Sequence, residues 1–288
     1  MRNALPVLSV VAAILVIWYL AAFWMNAAWV RDQAARADRH TGFAELVTET
    51  MTQDRPVVAA PHQVVMALWK GVFGHKITSK RSFVYHGWVT LEATLWGFAL
   101  GIVIGVGLAV IIVHSRAVDM SVMPWAVISQ TVPIVALAPM IVVLSNAVGI
   151  EGRLVPKAII SAYLSFFPVL VSMVSGLRAP HPMQLDLLKT YGASRTQVFW
   201  KLRLPSSLPY FFASLKVAIA ASLIGAIVGE LPTGAIDGLG ARMLIGSQFG
   251  QPLIMWAALF AATILAGALI LVVGVIQRAA DRRMGVTR

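Results

Sequence analysis

The sequence predicts an all-α membrane protein with about six transmembrane helices. Of its 288 residues 59% are hydrophobic and only 12% are charged, against an apolar share of about 45–50% in ordinary soluble domains. The mean hydropathy is +0.80. The apolar residues also gather in repeated runs of about 20, the length a helix needs to cross a bilayer. A third observation is that Lys and Arg lie in short segments between those runs, as insertion topology requires.

The first run, 6–30, is longer than a signal-peptide core and lacks a small-x-small cleavage site before a polar start, so it reads as a retained span. Segment 31–87 comes next as an external loop. Within it Val64 to Phe73 carries apolar residues at helical spacing with Trp69 beside Lys70, which suits a helix lying along the outer interface or one packed on the spans. A single core, 88–276, accounts for most of the remainder.

The second span, 88–113, repeats Gly97, Gly101 and Gly105 on one helix face, which lets another helix approach closely. The third, 121–145, contains Pro133 and Pro139, each of which removes a helix hydrogen bond. Two helical pieces meeting near mid-membrane fit it as well as one straight helix. Gln130, Thr131 and Pro133 place polar atoms and broken backbone there, and these need protein or a water-filled cavity around them. They form the candidate translocation path; hydrogen bonding between helices without solute contact is the plain alternative. The remaining spans fall at 155–176, 209–230 and 253–276, and a basic tail, 277–288, ends the chain.

The net charge is +11, yet its distribution between spans points to topology rather than nucleic acid. Placing the N-terminus inside puts the basic residues of the short loops, among them Arg2, Arg116, Arg178, Lys189, Arg203 and Arg288, in the cytoplasm. Both termini are then cytoplasmic, and the short outer loops at 146–154 and 231–252 hold little beyond Glu151, Arg153, Asp237 and Arg242. The 31–87 loop departs from this pattern with eight basic residues against five acidic, which is tolerable because long loops translocate largely regardless of charge. Glu92 and Glu230 are the acids nearest the membrane and read as lying at solvated outer ends. Without cysteine there is no thiolate metal site or cysteine nucleophile. His40, His62, His75, His86, His114 and His181 lack metal-ligand spacing and read as surface residues. No nucleophile, acid–base pair or cofactor motif stands out, so the reading is a transport subunit and not an enzyme.

The stretch between spans four and five, within 177–208, is too organised for a connector. Its chemistry reads helix, break, helix: Gly192 suits a left-handed helix end, and Ser194 with Gln197 forms a capping box for the second helix. Pro205 and Pro209 suit the first turn of span five. Leu185, Leu188 and Tyr191 fall near one face of the first helix with Leu187 beside them. This pattern fits either a docking knob for a partner or a helix folded back onto the bundle or the lipid interface.

Here the residues resemble a known family. Asp186, Gly192, Leu202, Leu204 and Pro205 fall at the spacings of the signature loop of binding-protein-dependent ABC importer permeases: Glu-Ala-Ala, three residues, Gly, nine residues, Ile-x-Leu-Pro. Asp186 stands for Glu, Leu187 and Leu188 for the two Ala, and Leu202 for Ile. The likeness is to permeases of the nitrate, sulfonate and taurine group. It extends to Thr90-Leu91 with Gly97-Phe98, Gly101, Gly105 and Gly107 in span two, and to Pro133-x-x-Ala136-x-x-Pro139 in span three. It also includes Gly229-Glu230 with Gly238-Leu239-Gly240 after it.

The resemblance implies a type I ABC importer permease of the inner membrane, working as a pair and carrying no ATP chemistry of its own. It further implies a cytoplasmic ATPase dimer and an external solute-binding protein as partners. Asp186, Leu187, Leu188, Tyr191, Gly192, Leu202, Leu204 and Pro205 would form the ATPase-coupling loop, and Glu230 an outer-gate or binding-protein contact. No Gly-x-x-x-x-Gly-Lys-Ser/Thr loop is present, so ATP hydrolysis is expected in trans. The expected solute is small and polar, of sulfonate, taurine or nitrate type or of pyrimidine or vitamin-precursor type. A self-sufficient ion-coupled carrier is the rival reading; buried acids and inverted repeats, its usual marks, are not visible in the sequence.

Overall fold

The apolar runs fold as long helices, because inside a bilayer a helix satisfies every backbone group within one segment. A computed structural model describes residues 4–39, 42–150, 152–232 and 235–283. Arg2, His40, Glu151 and Arg288 lie outside them. Among the described residues every element is helical: α1 (Ala4–Arg36), α2 (Phe43–Met51), α3 (Pro61–Phe73), α4 (Phe83–His114), α5 (Arg116–Ser129) and α6 (Ile134–Ala147). Then come α7 (Leu154–Arg178), α8 (Pro182–Thr190), α9 (Arg195–Val198), a π-helical turn (Phe199–Arg203), α10 (Leu204–Glu230), α11 (Leu239–Gln248) and α12 (Pro252–Arg283). Five helices are long and apolar enough to cross a membrane, counting Arg195–Glu230 as one, and α5 with α6 supplies a sixth crossing if that bent pair is a single broken span.

The chain divides into two units, Met1–Gly87 with Ala241–Ala262, and Trp88–Gly240 with Thr263–Arg288. In the first, Asn26 of α1 is buried; its side-chain oxygen accepts from the Val57 and Val58 amides at 2.8 and 3.1 Å, and its nitrogen donates to the Val58 carbonyl at 2.8 Å. Trp18 donates to the Ala59 carbonyl at 3.0 Å and stacks on Phe260 at 5.6 Å. The segment before α3 is thereby tied to α1. The helix expected at 64–73 begins at Pro61, whose missing amide costs nothing in a first turn. It buries Val64 and exposes Val65, Met66, Trp69 and Phe73.

One expectation is corrected in this unit. His86 is not a surface residue: it is buried and bonds through Nε2 to the Lys80 carbonyl at 2.9 Å. The 231–252 loop contains a helix, α11, whose Gly246 lies against Gln251 and Met255.

In the second unit α7 is the centre. The glycine face of α4 packs on it: a Cβ at Gly97 would overlap Ser161, one at Gly101 would overlap Ser165, and one at Gly105 would meet the Phe166 carbonyl. The close approach expected from the sequence is therefore used for helix packing. On another side of α7, Gly225 of α10 lies against the Ser161 backbone. Ile112, Val169, Leu170, Met173, Leu177 and Ala218 fill the space between these helices. Truncating such a side chain, Leu170→Ala for example, costs about 2–5 kcal/mol.

The third expected span is broken. α5 and α6 meet at 102°, and Pro133 is the residue that caps α6. Pro139 lies inside α6 and does not make the break, so of the two prolines only Pro133 does what the sequence suggested for both.

Candidate functional site

The loop between α7 and α10 is a rigid projection built by local chemistry. Pro182 opens α8, and the His181 amide donates to the Gln184 side chain at 3.1 Å while the His181 ring accepts from the Met183 amide at 3.3 Å. At its end Gly192 takes φ 68°, a left-handed conformation that costs glycine nothing and a β-branched residue much. Its amide and that of Ala193 close the turn onto the Lys189 and Leu188 carbonyls. Ser194 then caps α9, accepting from the Gln197 amide at 3.3 Å, while its own amide donates to the Gln197 side chain at 2.8 Å. Helix, break and capping box stand where the spacing placed them.

The next segment differs from the expectation of a separate span five. α9, the π turn and α10 run on as one helix, Arg195–Glu230. Pro205 has no amide to give the Lys201 carbonyl, and the widened turn just before it, where the Leu204 amide reaches the Phe199 carbonyl, takes up the mismatch. Pro209 is likewise inside the helix and not in its first turn.

The apolar face of α8 also differs in detail. Met183, Leu187 and Tyr191, spaced four apart, are 73%, 56% and 79% exposed. Leu185 and Leu188 are only half exposed. No residue of α8 is buried against the rest of the chain. Met183 is the member of this stripe that sequence reasoning missed; the i, i+4, i+8 spacing with Leu187 and Tyr191 was the available signal. Asp186 is exposed and pairs with Lys189 at 2.9 Å. Further on, Leu202 and Leu204 are half-buried and Pro205 is exposed.

At the far end of the same long helix lies a buried polar cluster. Glu230 is 0% exposed, which corrects the solvated carboxylate expected there. Its Oε1 accepts from the Thr90 hydroxyl at 2.9 Å and pairs with Lys157 Nζ at 3.4 Å, while Oε2 accepts from the Gly240 amide at 2.7 Å. Thr90 in turn accepts from the Leu239 amide at 2.9 Å, and Lys157, itself 3% exposed, reaches the Asp237 carbonyl at 3.4 Å. A Cβ at Gly238, whose φ is +123°, would overlap the Glu230 carboxyl group. α4, α7 and α10 are thus all bound to the 237–240 turn through one carboxylate. Thr90, Gly238 and Leu239 belong to the stretches that resemble the permease family, but Lys157 does not, and no local signal in the sequence pairs it with Glu230.

Gln130 is half-buried and donates to Ser129 Oγ at 3.2 Å, and Thr131 is exposed and bonds back to the Ile128 carbonyl at 2.8 Å. The Tyr163 hydroxyl donates to the Ser129 carbonyl freed by the break. Pro133 is exposed. The three candidate path residues therefore sit together at the bend between α5 and α6, while Glu230 is elsewhere in the unit, bonded to the 237–240 turn. Glu92 is exposed.

Comparison with known proteins matches residues 101–286 to the binding-protein-dependent transport system inner membrane component family. The chain is 36% identical over 177 residues to the formylaminopyrimidine transport permease protein ThiX of Halalkalibacterium halodurans, covering 60% of this chain and 68% of that one. It is 30% identical over 194 residues to the riboflavin transport system permease protein RibX of Chloroflexus aurantiacus, covering 67% and 70%. Among solved structures, a chain of the MetNI methionine ABC transporter in inward-facing conformations shares the fold with a TM-score of 0.58 at 20% identity, over 72% of this chain and 96% of that chain.

Proposed function

The chain belongs to the family of binding-protein-dependent transport system inner membrane components and is a multi-pass ABC importer permease for a small solute, and on that premise we propose how it works. α8 docks on a cytoplasmic ATPase subunit through Met183, Leu187 and Tyr191. The single observation that carries this is an apolar stripe left exposed on a helix closed by a capping bond at one end and by the Gly192 turn at the other. A rigid exposed apolar ridge between two spans is a surface made for a partner.

The geometry also supplies a route for the motion. From Arg195 to Glu230 the chain is one helix of 36 residues, about 54 Å long at 1.5 Å per residue. A displacement of the coupling loop moves the helix whose other end holds the Glu230 cluster. Gly192 keeps α8 at a fixed angle to that helix. Glu230 and Lys157 hold the 237–240 turn against three helices, so Glu230 acts on the outer gate from inside and does not touch a binding protein itself. The bend at Gln130, Thr131 and Pro133 faces the solute path between two copies of the chain. Both termini are cytoplasmic, ATP is hydrolysed on a pair of partner ATPase chains, and an external binding protein delivers the solute. The relatives at 36% and 30% identity favour a pyrimidine or vitamin-precursor type of solute over a sulfonate or nitrate.

The test is Gly192→Val in proteoliposomes with the ATPase and binding-protein partners. Nothing lies within 4 Å of a Cβ at Gly192, so the substitution acts through backbone angle alone. Uptake of a labelled aminopyrimidine should fall at least tenfold while ATP hydrolysis and membrane insertion persist. Unchanged uptake would remove the coupling role.

A further inference from the structure

Behind α8, on the side turned away from the exposed stripe, lies a pocket of about 440 Å³. At about 100° per residue, Met183, Leu187 and Tyr191 fall on one face of α8, while Leu185 and Lys189, which line the pocket, fall on the opposite one. A protein seated on the stripe therefore leaves the pocket open. His114, Lys189, Arg195 and Arg203 are among the residues that line it, and no acidic residue does. Lys189 is engaged by Asp186 at the rim. The guanidinium groups of Arg195 and Arg203 make no hydrogen bond or ion pair among the described residues, although Arg203 is half-buried. Partly burying an arginine without an anion is unfavourable, so this wall is incomplete as it stands.

The position of the pocket says which anion completes it. Its wall includes the last residue of α4, His114, and the first turns of the Arg195–Glu230 helix. Both are ends of candidate spans, and the ends of a spanning helix are the parts that meet the lipid headgroup layer. Trp200, strongly exposed beside it, is the residue type that gathers at that level. Leu185 and Phe199 give the same pocket an apolar side, and Phe199 and Arg203 are the two ends of the π turn, a distortion that often marks functional sites. Basic pockets between spans at a membrane surface bind anionic lipid headgroups.

We propose that this pocket binds the phosphate of an anionic membrane lipid, with Arg195 and Arg203 on the headgroup and Leu185 and Phe199 against the glycerol and upper acyl chain. The site itself does not depend on the importer reading. Its consequence does: a lipid wedged between α8 and the ends of α4 and α9 sets the stiffness of the coupling loop, so anionic lipid content would tune how well ATP hydrolysis drives transport.

The experiment is native mass spectrometry of the full chain in mild detergent, titrated with phosphatidylglycerol or phosphatidylcholine. One phosphatidylglycerol per chain should be retained in preference to phosphatidylcholine, with affinity falling about fivefold for each arginine lost in Arg195→Gln and Arg203→Gln. Lys201→Gln, an exposed neighbour outside the pocket wall, should leave retention within about twofold. Arg195 is exposed, so Arg195→Gln alone carries the test should Arg203→Gln fail to express. Equal retention of the two lipids, retention unchanged in the arginine variants, or displacement by millimolar inorganic phosphate, which would assign the pocket to a soluble anion, would each overturn the proposal. Whether an ATPase co-purifies is read separately on the same material, so failure of the importer reading cannot be mistaken for failure of the lipid site.

Discussion

The two ends of the Arg195–Glu230 helix are built on opposite plans. At the Glu230 end, charged groups are hidden and satisfied: the carboxylate meets Thr90, Lys157 and the Gly240 amide with no exposed surface. At the other end apolar side chains stand exposed on α8 while its charges pair in the open. The first arrangement is complete within the chain and the second is not. Complete polar networks at the end of a span hold helices together, and an exposed apolar ridge on the loop between spans is the surface a docking partner would cover.

The sharpest way to break this contrast is to remove Glu230. In Glu230→Ala, Lys157 is left buried without its carboxylate, and losing one member of a buried pair costs about 3–5 kcal/mol. Thermal unfolding in detergent should show a large drop, and Glu230→Met with Lys157→Met should recover most of it. A wild-type midpoint in the single variant would mean the cluster holds nothing. Gly238→Ala should act at the same place with smaller effect, about 1–3 kcal/mol, because its φ of +123° strains any L side chain and the new Cβ meets Glu230.

The knob should answer the other way. Leu187→Asp should leave the unfolding midpoint within about 0.5 kcal/mol of wild type, as exposed sites do, while ATPase association is lost. Asp186→Asn should change stability least of all, since an exposed pair contributes little. A large stability loss there would make α8 part of the core and end the distinction.

Legibility in the sequence divides along the same line. Local chemistry was readable: Gly192, Ser194 and Gln197 announced a turn and a cap, and the glycines at 97, 101 and 105 announced a packing face. Pro133 and Pro139 announced a break, although only Pro133 makes it, because Pro139 falls within α6 where neighbouring turns accommodate it. Long-range pairing was not readable. Nothing near Glu230 in the chain predicts that Lys157, 73 positions away, closes on it, and so the carboxylate was expected in solvent. His86 failed for the same reason, its burial being decided by tertiary packing. Pro205 and Pro209 suggested a new helix start, but the π turn let the helix continue through Pro205, and Pro209 lies within α10.

Co-purification decides whether α8 is the docking surface. The chain is solubilised from its own membranes in mild detergent as wild type, as Leu187→Asp with Tyr191→Asp, and as Glu230→Gln, and the bound proteins are identified by mass spectrometry. We expect an ATP-binding subunit with the wild type and with Glu230→Gln, and its loss from the Leu187/Tyr191 variant while that variant keeps the wild-type unfolding midpoint. An ATPase retained by the Leu187/Tyr191 variant, or absent from the wild type, would contradict the assignment of α8 as the docking surface.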